Sequence, residues 1–483
     1  MIHYLIFAYF YVAHILKVIC CHITYCKECK KLNTGYDWCN TCNAKHFRQN
    51  FINWTSGNID IDKCIQDTQL SAKSYHKILE WIPYGKLHDI EYIAKGGFGR
   101  VYRAKWVDGY IQNWDHINKD WKRVETNMYV ALKSLNNSEN ITSEFINEIT
   151  LHHKIVDNNY FSFIVRIYGI TQDPVSKNYM MILDYADYGS LRNYLDKNYN
   201  KLSWYIRLND LYFVAFGLEK IHIKELVHRD LHIGNVIRFA FHSSITDMGL
   251  CKPADFDESK SMKNSIYGVL PYIAPEVLRG HNYTKAADIY SFGIIMYEVI
   301  SGLPPYHDLS HDKNLAIKIC HGLRPRFNIK VPELIVSLIK KCLDANPLNR
   351  PKAEEIRKIL DHWVNQSEVE SEIANQIKEA EEINYNLSTG LIPSNYLLPS
   401  ANLGLSYKTH SEAIYTSRLF NFNNLPEQKN SDDYYQQYDN IISREFSESL
   451  QIDVPHLNIN DYLGINAFLY LSYSFCDNKN ELT

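Results

Sequence analysis

Three polar side chains in the middle of the chain have the types and spacing to hold a divalent cation beside a reacting hydroxyl group. Asp230 and Asn235 lie five residues apart in VHRDLHIGN, and Asp247 begins the triplet Asp-Met-Gly twelve residues after Asn235. A carboxylate can receive a hydroxyl proton, and carboxylate and amide oxygens are ligands that Mg²⁺ favours. Any single aspartate could equally cap a turn or a helix. Together the three predict phosphoryl transfer, in which a protein chiefly positions the reactants and neutralises charge.

A glycine-rich segment and a lysine upstream could hold the phosphates that such chemistry requires. Gly96, Gly97 and Gly99 lie between two predicted strands, where backbone N–H groups can approach phosphate oxygens without a Cβ in the way. A tight hairpin turn would explain the same glycines. Lys133 follows in Val-Ala-Leu-Lys on the next strand, and Glu148 on the following helix is placed to pair with it. Such an ion pair fixes the ammonium group against nucleotide phosphates.

The elements that must position these side chains alternate between strand and helix. Residues 92–101 have the pattern of a strand, a glycine turn and a second strand, and residues 129–135 that of a third. Helical spacing of Phe145, Ile149 and His152 predicts a helix over residues 143–154. Residues 106–127 are long and polar for a hairpin connection and are predicted to be a surface insertion. Residues 67–82 also have a helical pattern.

In this order, the motifs resemble those of a eukaryotic protein kinase domain over residues 85–365, and most of all those of the tyrosine-kinase-like group. The similarity continues past the chemistry, since Ala274-Pro-Glu276 would end the activation segment and Arg350 would pair with Glu276. A helix that includes Asp288 would anchor the catalytic loop. The resemblance implies an α+β, bilobal fold with a small β-rich N-lobe and a larger helical C-lobe. It also implies a signalling enzyme that transfers the γ-phosphate of ATP to Ser or Thr hydroxyls of protein substrates.

The same resemblance assigns catalytic roles to five residues. Asp230 would accept the proton of the acceptor hydroxyl. Asn235 and Asp247 would bind Mg²⁺, which ATP-dependent phosphoryl transfer uses. Lys133, held by Glu148, would bind the α- and β-phosphates.

Nucleotide binding is assigned in the same way. Leu183 would close the back of the pocket, and Asp184, Tyr185 and Ala186 would form the hinge that binds adenine through backbone groups. Val101, Ala131 and Ile237 would enclose the adenine ring. The full set that the resemblance assigns to the nucleotide is Ala94, Lys95, Gly96, Gly97, Phe98, Gly99, Val101, Ala131, Lys133, Asp184, Ala186 and Ile237.

Four positions depart from the family pattern. Ala94 replaces the first loop glycine and Met248 the usual Phe, and both are conservative in size or polarity. His232 and Val269 stand where Ser/Thr kinases carry a Lys and a Thr. A histidine can still donate a hydrogen bond, and we expect it to carry a partial positive charge near neutral pH. Neither replacement reproduces the Ala or Arg that tyrosine kinases carry in that loop. We therefore expect serine/threonine specificity, with a dual-specificity or tyrosine kinase as alternatives. A further alternative is a pseudokinase scaffold that binds nucleotide and partners without turnover.

Arg229, directly before the catalytic Asp230, implies regulation by phosphorylation. In the family, such an arginine pairs with a phosphorylated residue of the activation segment. The candidates are also ordinary polar loop residues, and they are Ser259, Ser261, Ser265 and Tyr267.

A cysteine cluster near the N-terminus has the spacing of a small metal site. Cys26 and Cys29 form one C-x-x-C pair, and Cys39 and Cys42 form a second after nine intervening residues. Two such pairs can enclose a structural Zn²⁺ with four thiolates, which leaves no open position for catalysis. Redox-active pairs or unpaired thiols remain alternatives, and the nearby Cys20, Cys21 and His22 could serve as substitute ligands.

Composition and the apolar start of the chain bear on partners and location. The net charge of −4 and the pI of about 6.6 give no electrostatic footprint for nucleic acid, and no nucleic-acid partner is expected. Residues 1–21 are mostly apolar, but their longest uninterrupted run is shorter than the roughly 20 residues of a spanning helix. A membrane-associated or signal-like role, a buried element and upstream sequence outside the working protein are all open for this segment. The enzyme itself is expected to be cytoplasmic.

We expect five regions along the chain. They are an apolar segment at 1–21, a zinc-ribbon-like cluster at 22–48, a linker with a helix at 49–84, a kinase domain at 85–365, and an acidic helix with a tail at 366–483. The helical candidate covers residues 368–383, and residues 384–483 have the composition of a largely disordered tail.

Overall fold

The computed structural model describes residues 24–95, 99–135, 143–155, 163–256, 266–388 and 407–430. The predictions for residues 1–21 and for Gly96, Gly97 and Phe98 therefore lie outside the described residues. Within the described ranges, no helix has the length and apolar character that would let it cross a membrane.

A six-stranded sheet forms the first lobe. In spatial order its strands are β1, β7, β8, β6, β3 and β2, and every pair is antiparallel except β1 with β7. The bounds of these strands and of the separate β4–β5 hairpin are β1 Glu80–Trp81, β2 Leu87–Lys95, β3 Gly99–Trp106, β4 Tyr110–Asp115, β5 Asp120–Val124, β6 Met128–Leu135, β7 Ile167–Gln172 and β8 Tyr179–Asp184.

Helices dominate the second lobe, and helices of the first lobe pack against the sheet. The eleven helices of the described residues are α1 Asn40–Asn50, α2 Ile59–Ser71, α3 Ser143–Ile155, α4 Leu191–Asn198, α5 Trp204–Ile223, α6 Pro275–Leu278, α7 Lys285–Ser301, α8 Lys313–Cys320, α9 Glu333–Cys342, α10 Ala353–Gln366 and α11 Glu372–Ser388. The short strands β9 Leu226–Val227, β10 Val236–Arg238, β11 Ser243–Ile245, β12 Lys252–Pro253 and β13 Ile266–Gly268 lie between α5 and α6. The prediction of a β-rich N-lobe and a helical C-lobe is confirmed.

The C-lobe core is built around α5 and α7. Thr284 caps the start of α7 by accepting a hydrogen bond from the Ala287 N–H, and Gly302 ends it with a φ of 75°. Glycine suits this left-handed backbone conformation, because it has no Cβ to clash with the preceding turn. Nearly every side chain of α7 is buried, including Tyr290 and Phe292. This rigid core is the platform that carries the loops of the site.

Residues 59–81 are part of the N-lobe and differ from the helix predicted at 67–82. The helix α2 ends at Ser71, and Glu80 and Trp81 form strand β1 at the edge of the sheet. On α2, Ile61 and Ile65 are fully buried against Phe145 and Ile149 of α3. The apolar spacing beyond Ser71 thus serves packing against the sheet and not a continued helix.

The predicted surface insertion at residues 106–127 contains the β4–β5 hairpin. This hairpin packs against α1 and the residues just before it. Trp121 stacks on Phe47 of α1 with ring centroids 4.1 Å apart, and it lies 6.1 Å from Trp38. Ile111 is buried in the same cluster. The aromatic residues of this cluster, Trp38, Phe47 and Trp121, fix the cysteine-containing segment to the N-lobe.

Part of the tail that was predicted to be largely disordered lies against the C-lobe. Residues 407–430, which we call the docked tail, include strand β14 at Arg418–Phe420. Strand β14 pairs antiparallel with β13, and Phe420 is buried in the C-lobe core. The helix α11 at 372–388 agrees with the helical candidate. The remaining tail, 389–406 and 431–483, lies outside the described residues.

Candidate active site

The carboxylate of Asp288, on α7, holds the loop that carries Asp230. One carboxylate oxygen of Asp288 accepts the His228 backbone N–H at 2.8 Å, and the other accepts that of Arg229 at 3.0 Å. Arg229 takes a φ of 72°, a left-handed backbone conformation that is uncommon for residues other than glycine. These bonds fix the backbone immediately before Asp230. Burial raises the pKa of the Asp230 carboxyl to about 6, partly offset by hydrogen bonds.

Lys133, Glu148 and Asp247 meet in the cleft between the lobes. Lys133 Nζ lies 2.7 Å from Glu148 Oε1 and 2.8 Å from Asp247 Oδ1. Burial alone would lower the Lys133 pKa, but the two carboxylates outweigh it and raise the pKa above its ordinary value. Lysine and glutamate were predicted to pair, and the structure brings them together. It also adds Asp247, 114 residues further along the chain, to the same cluster.

Asn235 and Asp247 are arranged so that oxygen atoms are available to a cation. The Asn235 amide nitrogen donates to the Asp230 carbonyl at 2.9 Å, so the side chain has its oxygen left to offer to a metal. Asp247 has a φ of 64° and accepts the Gly249 N–H. A Cβ at position 249 would lie 3.2 Å from an Asp247 carboxylate oxygen and 3.3 Å from a Glu148 carboxylate oxygen, so a side chain there would crowd both carboxylates. Hard oxygen donors beside a cationic lysine fit a magnesium–triphosphate group.

The residues assigned to the adenine pocket lie on neighbouring strands. Ala131 on β6 is opposite Leu183 on β8, and Ile237 on β10 packs on the same apolar cluster as both. Val101 on β3 is in register with Lys133 on β6. Of the remaining assigned residues, Ala94 and Lys95 are exposed at the end of β2, and Gly99 is buried at the start of β3. Asp184 is the last residue of β8, and Ala186 lies just after the strand and is buried.

His232 is a neutral imidazole at the catalytic loop. Burial lowers its pKa to about 4, so it lacks the positive charge of the lysine that Ser/Thr kinases carry there. Its Nδ1 accepts the Gly234 N–H at 3.1 Å, which leaves the proton of the neutral ring on Nε2. The partial positive charge expected near neutral pH is therefore corrected to a neutral donor. Val269, at the position of the usual Thr, is buried.

Sequence reasoning missed Ser417, whose hydroxyl reaches the catalytic loop from the docked tail. Ser417 Oγ lies 2.9 Å and 2.7 Å from the two Asp230 carboxylate oxygens. It lies 3.4 Å from His232 Nε2. A serine in a polar tail has no local signal that would single it out.

Arg229, which was predicted to pair with a phosphorylated residue, lies against an aromatic ring of the C-lobe. The Arg229 guanidinium lies over the Tyr283 ring, 4.7 Å from its centroid. Among the candidate partners, Tyr267 lies on β13, while Ser259, Ser261 and Ser265 are outside the described residues.

The activation segment ends at a buried ion pair. Arg350 makes two parallel contacts of 2.7 Å with the Glu276 carboxylate, as the sequence predicted. Arg350 also donates to the Ala286 carbonyl at 2.9 Å. A bidentate pair of this kind combines charge with fixed geometry. It ties the end of the activation segment to the rest of the C-lobe.

The four predicted cysteine ligands converge on one point. Cys26 Sγ lies 3.6 Å from Cys42 Sγ, and Cys29 Sγ lies 3.7 Å from Cys39 Sγ. All four sulfurs lie within 4.8 Å of one another, and none is in a disulfide. Four sulfurs bound tetrahedrally at about 2.3 Å from Zn²⁺ would stand about 3.8 Å apart. The four thiols therefore fit a tetrahedral zinc ion.

Comparison with known proteins agrees with this geometry. A family model described as protein tyrosine and serine/threonine kinase matches residues 87–360. A probable serine/threonine-protein kinase of Dictyostelium discoideum is 29% identical over 58% of this chain and 15% of its own length. Receptor-interacting serine/threonine-protein kinase 2 of Bos taurus is 26% identical over 85% of this chain and 76% of its own length. Mitogen-activated protein kinase kinase kinase 7 of Homo sapiens is 29% identical over 61% and 44%, respectively.

These relatives differ in how much of their length the chain spans, from a small fraction of the Dictyostelium protein to three quarters of the bovine one. Lys133, Glu148, Asp230, Asn235 and Asp247 all fall inside the matched region. Because the family model covers more than half of the 483 residues, the chain belongs to the protein tyrosine and serine/threonine kinase family.

Proposed function

We propose that this protein is a catalytically active kinase that transfers the γ-phosphate of ATP to Ser or Thr hydroxyls of protein substrates. The observation that carries this proposal is the position of Lys133 Nζ, 2.7 Å from Glu148 and 2.8 Å from Asp247. A scaffold that only binds partners has no chemical reason to keep all five residues of the set Lys133, Glu148, Asp230, Asn235 and Asp247. A phosphate-binding lysine, in contrast, must be held in one place.

Each residue of the site has a part in the proposed reaction. Lys133 binds nucleotide phosphates, and Asn235 and Asp247 hold Mg²⁺, which neutralises charge on the transferring phosphoryl group when it is bound. Asp230 accepts the hydrogen bond of the acceptor hydroxyl, orients it and receives its proton. The two backbone hydrogen bonds that Asp288 accepts keep the catalytic loop in place during the reaction. The contribution of the protein is thus positioning and charge.

Serine or threonine as the acceptor is supported by the relatives, which are described as serine/threonine kinases. His232 replaces the usual lysine with a neutral donor, so the acceptor site keeps a hydrogen-bond donor without the charge. Dual specificity and tyrosine specificity are tested by the same experiment if the phosphorylated residue type is identified.

The test is transfer of labelled γ-phosphate from ATP–Mg²⁺ to a generic protein such as casein, with hydrolysis of the product to identify the labelled residue. Wild type should label serine or threonine, and Asp230→Asn and Asp247→Asn should each reduce the rate by about 10²–10⁴-fold. Asp67→Asn, an exposed carboxylate of α2, is the matched control and should keep the wild-type rate. A wild-type rate no higher than that of the two variants would favour the scaffold alternative. Label on tyrosine alone would exclude serine/threonine specificity.

We further propose that Cys26, Cys29, Cys39 and Cys42 hold one structural Zn²⁺ ion. The spacing of the sulfurs supports this proposal, and four thiolates would leave no position for a reacting group. The proposed zinc ion would stabilise a segment that is too small to have a hydrophobic core of its own. The other proposed partners are ATP and protein substrates, without nucleic acid. The cytoplasmic location stays a prediction, as does a membrane contact of residues 1–21.

A further inference from the structure

The docked tail crosses the front of the catalytic loop as an extended chain. Its strand β14 adds to β13 of the activation segment, with Leu419 opposite Tyr267 and Arg418 opposite Gly268. The Tyr267 hydroxyl also donates to the Ser417 carbonyl at 3.2 Å. Adding a strand to an exposed edge is one way in which proteins bind extended peptides, because the backbone supplies the hydrogen bonds.

Contacts on the upstream side hold the docked tail in one register. The His410 N–H donates to the His307 carbonyl at 2.8 Å, and the Ile414 carbonyl lies 2.9 Å from His311 Nδ1. The Tyr415 hydroxyl donates to the carbonyl of Pro305 at 3.0 Å. These contacts lie before Ser417 in the chain and fix the direction from which it approaches Asp230.

Contacts on the downstream side are equally specific. Phe420 is only 8% exposed and belongs to the C-lobe core, where Leu425 also packs. The Lys429 N–H donates to the Cys320 carbonyl at 3.0 Å, and Asn430 Oδ1 accepts the Ala345 N–H at 2.9 Å. With anchors on both sides, the docked tail fills the groove in front of Asp230 as a bound peptide would.

At the centre of this segment, Ser417 takes the place of an acceptor residue. Its hydroxyl oxygen lies 2.7 Å from the nearer Asp230 oxygen, within the range of about 2.6–3.2 Å required of a general base and its proton donor. Thr416, the neighbouring hydroxyl residue, is exposed. The register of β14 therefore selects one hydroxyl of the segment.

We propose that the docked tail is a tethered substrate of this kinase and that Ser417 is its phosphoacceptor in cis; this inference rests on the proposed function. The Ser417 oxygen attacks the γ-phosphorus of ATP and forms a new O–P bond. The bond between the γ-phosphorus and the oxygen that bridges it to the β-phosphorus breaks, and ADP leaves. The hydroxyl proton passes to Asp230. The products are phosphoserine 417 and ADP.

Two consequences follow for regulation. Before the reaction, the tethered segment excludes other protein substrates from the groove, since a short tether gives a local concentration in the millimolar range. After it, a phosphate group with a charge of about −1.5 to −2 lies next to the Asp230 carboxylate and is repelled by it. Phosphorylation of Ser417 thus releases the segment and opens the groove.

The experiment follows phosphate incorporation into the full chain with ATP–Mg²⁺, by intact mass and by peptide mapping. We expect phosphate on Ser417, at a rate constant that does not change over a roughly 100-fold range of protein concentration, because the step is intramolecular. Ser417→Ala should lose this phosphate, and Thr416→Ala should keep it. A rate proportional to protein concentration would overturn the reaction in cis.

A second variant tests the docking itself. Phe420→Ala removes an anchor away from the reacting atoms, and it should slow Ser417 phosphorylation and lower KM for added casein by roughly tenfold. If neither the rate of Ser417 phosphorylation nor the KM for casein changed, the tethered-substrate proposal would be overturned. Casein phosphorylation without any phosphate on Ser417 would overturn this inference and leave the proposed function intact. Absence of phosphate on both would contradict the proposed function, and the inference with it.

Discussion

Asp288 accepts a hydrogen bond of 2.8 Å from the His228 backbone N–H and so fixes the catalytic loop to the most buried helix of the C-lobe. The same carboxylate oxygen lies 3.0 Å from His222 Nε2, and the other oxygen accepts the Arg229 N–H. The loop therefore takes its position from α7 and not from its own sequence alone.

The first prediction concerns this anchor. Asp288→Asn places an amide nitrogen opposite one of the two backbone N–H groups, and the resulting displacement of Asp230 should lower kcat by roughly 10–100-fold. The KM for ATP should change little, because Lys133 and the hinge are held by the N-lobe. Steady-state kinetics measure both, with Asp67→Asn as the control. An unchanged kcat in a folded variant would mean that the loop holds its position without Asp288.

The second prediction concerns the buried Arg350–Glu276 pair. Arg350→Leu leaves the Glu276 carboxylate buried without its charge partner and should lower the free energy of unfolding by about 3–5 kcal/mol. Lys358→Leu, which removes an exposed helical pair with Glu354, should cost less than about 0.5 kcal/mol. Urea titration of both variants supplies the comparison. Equal, small losses would show that the buried pair contributes no more than a surface one.

The third prediction concerns the helix before the first strand. Ile65 is fully buried between α2 and α3, whereas Ile59 on the same helix is 81% exposed. Ile65→Ala should lower the free energy of unfolding by about 2–4 kcal/mol, and Ile59→Ala should have almost no effect. Thermal or urea unfolding can measure the difference. Similar values for the two would mean that α2 is not packed on the N-lobe.

The fourth prediction concerns pH and the buried His152 on α3. Its burial lowers the pKa to about 4, and the ring accordingly binds no proton in the folded state at pH 5, where the unfolded state does. Its contribution to stability is complete above pH 6.5 and decreases as pH falls toward 4. At pH 5 the loss should be about 2 kcal/mol.

The variant His152→Gln separates this effect from other titrating groups. Glutamine can still donate a hydrogen bond toward the Val165 carbonyl but takes up no proton in this range. Its unfolding free energy should fall less steeply than that of wild type between pH 7 and pH 5, as measured by urea titration. Parallel pH profiles for the two proteins would contradict the prediction.

The fifth prediction concerns zinc. Metal analysis should find about one zinc per chain, and Cys39→Ser should lose most of it. Cys64→Ser, outside the cluster, should retain the metal. Chelation should alter tryptophan fluorescence, because Trp38 is fully buried next to the cluster and packs near Trp121. Purified wild type without zinc, and without a response to chelator, would disprove the zinc site.

Much of the site could be predicted because kinase motifs are local in sequence. Asp230 and Asn235 share one loop. Lys133 lies on strand β6 and Glu148 on the helix that follows it, and the apolar spacing of the sequence predicted both elements. The predicted helix at 67–82 was less accurate because a two-residue strand such as β1 has too few residues to show a period. The packed state of the β4–β5 hairpin depends on aromatic contacts with residues far away in the chain, which polarity alone does not reveal.

The sequence by itself predicted the kinase fold, the residues assigned to ATP and the four cysteines assigned to zinc. These predictions rest on residue types at short, fixed spacings, because such a spacing determines both the chemistry and the local geometry of a motif. Only the tertiary structure decided that residues 407–430 lie across the catalytic loop and that Ser417 reaches Asp230. The reason is physical. Strand β14 pairs with β13 through backbone hydrogen bonds, which every residue except proline can donate, so the sequence of the tail does not specify the strand that it joins.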